Sequence, residues 1–260
     1  MHALDLANPA DCARRALSCL DLTSLNEADT EADIARLCRR ATGPFGSTAA
    51  VCVWPRLAAF ARRELPPEVA VAAVANFPDG SADLARAVAD AQAIVDAGAQ
   101  EVDVVIPYRQ LDAAPALLAA VRRACEGLRL KIILETGELA DTRQAALACR
   151  IALEAGADFL KTSTGKARVN ATPQAARVLL QAIADDPAAR PHVGFKPAGG
   201  IRTVADAQAY MALVREVLGD TALSPQRFRI GASGLLEDIE AVLGGRADGS
   251  ACVATRASAC

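Results

Sequence analysis

The chain has 260 residues, of which 52% are hydrophobic but only 3% aromatic, and its net charge is −3 with both signs interspersed. No basic stripe or aromatic platform occurs, which argues against a nucleic-acid partner. No apolar run reaches the roughly 18–20 residues of a membrane span, and Met1–Asp11 lacks the apolar core of a secretory signal, so we expect a soluble protein of the cytoplasm.

The counts of cysteine and histidine exclude further classes of protein. Eight cysteines are scattered without a C-x-x-C pair, and because a disulfide scaffold is typical of small secreted chains, we expect them to be reduced and the internal ones mostly buried. The only histidines are His2 and His192, and two are too few for a zinc site built on histidines. No G-x-S-x-G turn accompanies His192, so a serine hydrolase is not favoured.

Short β-rich apolar segments recur along the chain and alternate with stretches of helical periodicity. We predict helices over Ser81–Gly98 (with Ser81 as the cap), Thr142–Gly156, Gln174–Ala184 (after the cap and first position Thr172-Pro173) and Thr203–Leu218. We predict eight strands, at Cys19–Thr23, Ala49–Trp54, Val69–Ala75, Glu101–Ile106, Leu130–Glu135, Phe159–Thr162, Val193–Lys196 and Phe228–Ile230.

This alternation predicts an α/β fold with a parallel sheet and crossover helices. Eight units can close into a (β/α)8 TIM barrel, and the length is typical of one such domain. An open doubly wound sheet is the alternative, but no G-x-G-x-x-G follows the first strand. We expect one domain over residues 1–260, with an N-terminal extension (about 1–15) and a flexible Gly-, Ala- and Ser-rich tail (about 244–260).

Charges inside strands are informative because parallel strands covered on both faces should be almost wholly apolar. Lys161 ends the sixth strand, and Lys196 ends the seventh at an equivalent height. Burial and a second ammonium nearby would both lower the pKa of Lys161, and a neutral amine is a nucleophile toward carbonyls. Alternatively, Lys161 points outward between helices or forms a structural salt bridge.

The remaining strand charges have less specific interpretations. Asp103 could pair with these lysines, shuttle protons to a hydroxyl, or do both. Lys131 and Glu135 share a face of one strand, and we predict an internal ion pair between them. Asp21 ends the first strand, where a helix cap and a substrate contact are equally compatible with the sequence. Cys52 is interpreted as a small core residue, and we include it with Asp21 among the candidate substrate-binding residues.

Glycine turns follow the last three strands and indicate an anion site. Glycine lets backbone N–H groups approach a ligand, and barrel enzymes frequently bind phosphate after strands seven and eight. Tight strand-to-helix turns are the alternative reason for these glycines. The candidate phosphate-binding residues are Gly165, Lys166, Gly199, Gly200, Arg202, Ser233 and Gly234.

Nine segments, spread in order over nearly the whole chain, resemble the deoxyribose-phosphate aldolase family of class I, Schiff-base-forming aldolases. KTSTGK together with GFKPAGG is the most specific combination. The segments are LDLTSL (20–25), AAVCVWPR (49–56), VANFPDG (74–80), EVDVVIPYR (101–109), LETGEL (134–139), GADFLKTSTGK (156–166), VNATP (169–173), VGFKPAGGIRT (193–203) and FRIGASGLL (228–236).

The resemblance implies a (β/α)8 barrel that reversibly cleaves 2-deoxy-D-ribose 5-phosphate into glyceraldehyde 3-phosphate and acetaldehyde. It implies that Lys161 forms the Schiff base, that Lys196 lowers its pKa, and that Asp103 shuttles protons. It also implies a phosphorylated sugar as substrate, no metal or organic cofactor, deoxynucleoside catabolism in the cytoplasm, and a homodimer.

Two positions depart from the pattern of the family. Gly234 stands where many relatives have serine, which removes a hydroxyl but keeps backbone donors. The chain ends in Ser258-Ala259-Cys260 and lacks the terminal tyrosine of some relatives. Two other functions are compatible with the sequence, namely another lysine aldolase or transaldolase, and a phosphosugar-binding barrel without catalysis.

Overall fold

The computed structural model describes residues 4–245, which form eight parallel strands in regular alternation with helices. The strands are β1 Leu20–Thr23, β2 Ala50–Val53, β3 Ala70–Ala75, β4 Glu101–Val105, β5 Arg129–Ile133, β6 Phe159–Lys161, β7 Gly194–Lys196 and β8 Ile230–Ala232. The helices are α1 Pro9–Ser18, α2 Glu31–Ala41, α3 Pro55–Glu64, α4 Leu84–Asp96, α5 Ala114–Ala124, α6 Thr142–Glu154, α7 Pro173–Asp185, α8 Val204–Leu218 and α9 Leu235–Leu243.

The eight strands form one sheet in the order β8-β1-β2-β3-β4-β5-β6-β7. Two parallel bridges, Phe195 to Phe228 and Ala198 to Gly231, bring the β7 edge against the β8 edge and nearly close the sheet. The prediction of a (β/α)8 TIM barrel is therefore confirmed, and the open doubly wound alternative is wrong. In such a barrel the loops after the strands gather at one end, where sites are built.

Local sequence explains most helix starts. Thr172 accepts a hydrogen bond from the Ala175 amide and is followed by Pro173 at the first helical position of α7, as predicted. The predicted Ser81 cap of α4 is wrong because Asp83, one residue before the helix, accepts from the Arg86 amide. The Ser81 hydroxyl instead donates to Asn76 Oδ1.

The predicted bounds of the eighth strand are also wrong. The segment expected at Phe228–Ile230 forms a strand only from Ile230 to Ala232. The amide of Phe228 donates to the carbonyl of Ser224 at 2.7 Å and closes a turn, so it is not available to a strand ladder. An apolar run alone does not reveal such a turn.

Helix α1 begins within the predicted N-terminal extension (about 1–15) and continues to Ser18. It packs against α8 and α9 and buries Cys12, Ala13, Ala16 and Leu17. The six cysteines within residues 4–245 are free and buried, as predicted. In the same range no helix is long and apolar enough to cross a membrane. The predicted flexible tail lies almost wholly outside the described residues.

Candidate active site

Lys161 and Lys196 lie side by side at the carboxyl ends of β6 and β7. The two residues are register partners in the parallel ladder, and Ile133 of β5 pairs with Lys161 on its other side. Both lysine side chains are buried. The predicted equivalent height of the two lysines is confirmed.

Asp103 joins these lysines from β4, two strands away from β6. Its Oδ2 atom accepts from Lys161 Nζ at 2.8 Å and from Lys196 Nζ at 2.7 Å. Its Oδ1 atom accepts from Lys131 Nζ at 2.6 Å. The carboxylate is fully buried, so the predicted pairing of Asp103 with Lys161 and Lys196 is present.

A further layer of charge lies below this cluster. Asp21 accepts from Lys196 Nζ through Oδ2 at 2.5 Å and from Arg229 Nη1 through Oδ1 at 2.6 Å. Glu101 accepts from Arg229 Nη2 at 2.8 Å and lies 2.6 Å from Lys131 Nζ. Every one of these side chains is at most 4% exposed, so the ion pairs are shielded from solvent and salt.

The surroundings separate Lys161 from the other two lysines that contact Asp103. Burial lowers the pKa of Lys161, Asp103 opposes this, and Lys196 lowers it further, so that the pKa falls below its usual value. Burial also acts to lower the pKa of Lys196, but Asp103 and Asp21 outweigh it and the pKa is raised. The pKa of Lys131 is raised in the same way, burial being outweighed by Asp103, Glu101 and Asp21. Of these three lysines, Lys161 alone has a pKa below its usual value, which favours its free amine.

The predicted ion pair between Lys131 and Glu135 is wrong. Lys131 points toward Asp103 and Glu101, whereas Glu135 lies two residues beyond the end of β5 with φ +50°. That left-handed conformation breaks the alternation of side chains along the strand. The Glu135 carboxylate instead accepts from the Thr164 amide at 3.2 and 3.3 Å, and burial raises its pKa.

Asp21 and Cys52 lie beneath the site and do not line its cavity. The helix-cap alternative for Asp21 is wrong, because the residue sits within β1 and Thr30 caps the following helix. Asp21 is fully buried and its oxygens are engaged by cations. Cys52 is a fully buried residue of β2, as interpreted from the sequence, and burial raises the pKa of its thiol.

A cavity of about 380 Å³ opens above Lys161 at the carboxyl ends of the strands. It includes all seven candidate phosphate-binding residues. Its lining residues are Thr23, Ser24, Leu25, Asn26, Lys161, Thr164, Gly165, Lys166, Ala198, Gly199, Gly200, Ile201, Arg202, Gly231, Ala232, Ser233 and Gly234. A larger groove of about 790 Å³ between α6, α7 and α8 lies on the outer surface, away from these charges.

The wall opposite Lys161 is suited to an anion. Helix α9 begins directly after Gly234, so its first amides point toward the cavity mouth, where they attract negative charge. Gly199 has φ +83°, and a Cβ atom there would lie 2.7 Å from Asn170. The loop therefore requires glycine, both for its conformation and for the close approach. Lys166 Nζ donates to the carbonyl of Leu25 at 2.9 Å and closes the rim.

The absence of a side chain at Gly231 leaves room for the side chain of Lys196 to reach the site. A Cβ atom at Gly231 would lie 2.9 Å from the Ala198 Cβ and 3.1 Å from the Lys196 Cε. A side chain at this position would push against the lysine stem.

Three parts of this site were not predicted from the sequence. Glu101 and Arg229 are charges in or beside strands, so the argument used for Asp103 could have found them. Thr164 and Glu135 form a contact that depends on a left-handed residue. The loop Ser24–Asn26 reaches the cavity; LDLTSL (20–25) belongs to the resemblance, but these residues were not named as candidate site residues.

Comparison with known proteins is in accord with this geometry. The model of the DeoC/LacD family aldolases matches residues 15–237. A deoxyribose-phosphate aldolase of Agrobacterium fabrum is 47% identical over 250 residues, which are 93% of this chain and 95% of that protein.

Solved structures share the fold. A protein of Toxoplasma gondii, provisionally described as a deoxyribose-phosphate aldolase, superposes with a TM-score of 0.83 at 23% identity, covering 94% of this chain and 97% of that one. A tetrameric deoxyribose phosphate aldolase of Aeropyrum pernix gives a TM-score of 0.71 at 27% identity, covering 90% of this chain and 92% of that one. With the family model matching most of its length, the chain belongs to the DeoC/LacD family of aldolases.

Proposed function

We propose that this aldolase reversibly cleaves 2-deoxy-D-ribose 5-phosphate into glyceraldehyde 3-phosphate and acetaldehyde, with Lys161 as the Schiff-base lysine. The observation that carries the proposal is a buried amine with a lowered pKa on the floor of a cavity whose other wall suits a phosphate. The 47% identity to a deoxyribose-phosphate aldolase supports the choice of substrate.

The reaction begins when neutral Lys161 attacks the C1 aldehyde of the open-chain sugar and water is lost to give an iminium. The iminium accepts the electron pair of the C2–C3 bond when the C3 hydroxyl loses its proton and becomes a carbonyl. Asp103, acting through a water molecule, takes that proton. Glyceraldehyde 3-phosphate leaves, the enamine is protonated at C2, and hydrolysis releases acetaldehyde and the free amine.

Lys196 has an electrostatic role in this scheme. Its ammonium, held by Asp21 and Asp103, is a fixed positive charge beside Lys161. Since a second charge of the same sign disfavours protonation, Lys196 helps to lower the pKa of Lys161 and so favours its free amine.

The 5-phosphate binds in the glycine wall, where it orients the sugar toward Lys161. Gly165, Gly199, Gly200, Ser233 and Gly234 line this wall, and Lys166 and Arg202 add positive charge to the rim. Asp21 and Cys52 lie below the cavity, and we expect neither residue to contact the substrate directly.

Borohydride trapping tests this function. Deoxyribose 5-phosphate with borohydride should leave a reduced adduct that peptide mapping places on Lys161, and the unreduced reaction should yield both aldehydes. Trapping only with a different sugar phosphate would indicate another lysine aldolase or a transaldolase. Binding without any adduct or product would indicate a phosphosugar-binding barrel without catalysis.

The proposal also covers the organisation of the protein outside the site. We expect the whole chain to act as one barrel domain in the cytoplasm, as its length and composition indicate. The resemblance to the family further implies a homodimer and a role in deoxynucleoside catabolism. The tetramer named for the Aeropyrum pernix relative is the competing assembly. Light scattering on the purified chain distinguishes monomer, dimer and tetramer.

A further inference from the structure

Arg229 lies at the bottom of the buried charge cluster, and the proposed mechanism assigns it no part. Its Nη1 donates to Asp21 Oδ1 at 2.6 Å and to Glu101 Oε2 at 3.1 Å, and its Nη2 donates to Glu101 Oε1 at 2.8 Å. The side chain is 4% exposed. A planar guanidinium that binds two carboxylates fixes both in position, which a lysine at the same place would do less well.

Contacts lead from Arg229 to Lys161 without interruption. The second oxygen of Asp21 accepts from Lys196 Nζ, and Lys196 Nζ donates in turn to Asp103 Oδ2. That same Asp103 oxygen accepts from Lys161 Nζ. The position of Asp21 therefore determines where the ammonium group of Lys196 lies relative to Lys161.

Within the ion pairs that connect this cluster, three carboxylates face three cations besides Lys161, so a protonated Lys161 would be a fourth cation among them. The groups are Asp21 from β1, Glu101 and Asp103 from β4, Lys131 from β5, Lys196 from β7 and Arg229 beside β8, with the Cys52 thiol of β2 next to them. Glu135, a further buried carboxylate near Lys161, lies outside these ion pairs, accepts from the Thr164 amide and has a pKa that burial raises.

One more arginine reaches the cluster, from outside. Arg129 Nη1 donates to Glu101 Oε1 at 2.6 Å, but its side chain is 35% exposed. Solvent screens the charge of Arg129, so this arginine contributes little to the charge balance of the buried cluster. Arg229 is therefore the third buried cation of the cluster, beside Lys131 and Lys196.

We propose that Arg229 is a positioning residue of the aldolase reaction, which holds Asp21 against Lys196 and supplies the third buried positive charge, so that Lys161 remains a free amine. The proposal rests on Lys161 being the nucleophile of the proposed function. Arg229 is not among the residues that line the cavity.

The test is the pH dependence of kcat/KM and of borohydride trapping in Arg229→Met. Losing one positive charge makes protonation of Lys161 easier, so its pKa rises and the acidic limb of both profiles moves to higher pH. A shift of one unit would lower activity about tenfold on that limb and leave it recoverable under alkaline conditions. Arg229→Lys keeps the charge and should restore most of the limb.

Two further variants make the result specific. Arg129→Met removes an arginine that also contacts Glu101 but not Asp21, and its acidic limb should coincide with that of the unmodified chain. Glu101→Gln removes a negative charge, so its limb should move the opposite way, to lower pH. This variant decides the question if Arg229→Met does not fold.

An acidic limb that stays in place in Arg229→Met, or moves to higher pH in Glu101→Gln, would overturn the inference. Its failure is distinct from failure of the proposed function. If the unmodified chain gives an adduct on a lysine other than Lys161, the proposed function is wrong. If the adduct is on Lys161 and the limb does not respond to Arg229, only the positioning role is wrong.

Discussion

At the scale of single residues, the site depends on which lysine can lose its proton. Asp103 contacts the amino groups of three lysines, yet Asp21 and Glu101 stabilise the charge on Lys196 and Lys131 and not on Lys161. The sequence singled out Lys161, Lys196 and Asp103 as charges within apolar strands, and the structure brings these three side chains into contact. The sequence could not show which carboxylate serves which lysine, since the partners come from strands far apart in the chain.

Lys161→Met should abolish turnover and trapping while raising stability, because a buried amine that resists protonation is replaced by an apolar side chain of similar volume. Chemical denaturation at pH 7 and mass mapping measure the two effects. Lys166→Met is the matched control, since it lies on the cavity rim, and it should keep trapping at Lys161. An adduct that persists in Lys161→Met would show that a different lysine reacts.

Lys196→Leu should raise the pKa of Lys161 because the neighbouring positive charge is gone. The free-amine fraction at neutral pH would fall about tenfold per unit, and the acidic limb of kcat/KM would move to higher pH with partial recovery in alkali. The shift is partial because burial of Lys161, the larger cause, remains. Uniformly low activity with an unchanged limb would instead assign Lys196 a role as an acid or a substrate contact.

At the scale of elements, the sequence predicted strands and capped helices better than it predicted the turns between them. Thr172-Pro173 and Thr203 begin their helices as expected, because a side-chain cap acts locally. The bounds of the eighth strand were wrong and the Glu135 contact was not predicted, because the turn between Ser224 and Phe228 and the left-handed conformation of Glu135 leave no mark in the apolar pattern. The glycine loops were found, but the loop after β1 was not.

The loop Thr164–Lys166 should depend on Glu135. Glu135→Leu leaves the buried Thr164 amide without its acceptor, which costs about 1–3 kcal/mol, so we expect KM for the phosphorylated substrate to rise about tenfold or more. Glu135→Gln keeps an acceptor oxygen and should stay near the unmodified KM. Steady-state kinetics on both variants measure this, and equal KM values in the two would contradict the role of the contact.

At the scale of the whole molecule, the barrel interior is polar along one line, from Glu101 and Arg229 at the bottom to Lys161 below the cavity. The eightfold alternation of strands and helices predicted the barrel, because a chain with this pattern has few other folds in which every strand is buried on both faces. It did not predict that the interior charges would join into one connected cluster. Because of that cluster, we expect both the stability of the fold and the activity of the enzyme to depend on pH.

Acid should weaken the fold through these carboxylates. Burial would raise the pKa of Glu101, but Lys131 and Arg229 outweigh it and hold the pKa at about 2, below its usual 4.5. A carboxyl whose pKa is lower in the folded chain stabilises the fold above its unfolded pKa, and this stability is lost as pH falls through the folded pKa. The loss should therefore run from about pH 5 to pH 2, and it is worth about 3 kcal/mol for a shift of this size.

Denaturant midpoints measured between pH 7 and pH 2 test this linkage. Glu101→Gln should be less stable than the unmodified chain at pH 7, since it leaves Arg229 and Lys131 short of a buried partner. Its stability should also fall less steeply toward pH 2, because one of the titrating groups is gone. Glu126→Gln, at an exposed carboxylate, is the control and should follow the unmodified chain at every pH. Parallel acid curves for Glu101→Gln and the unmodified chain would mean that the buried cluster does not govern acid unfolding.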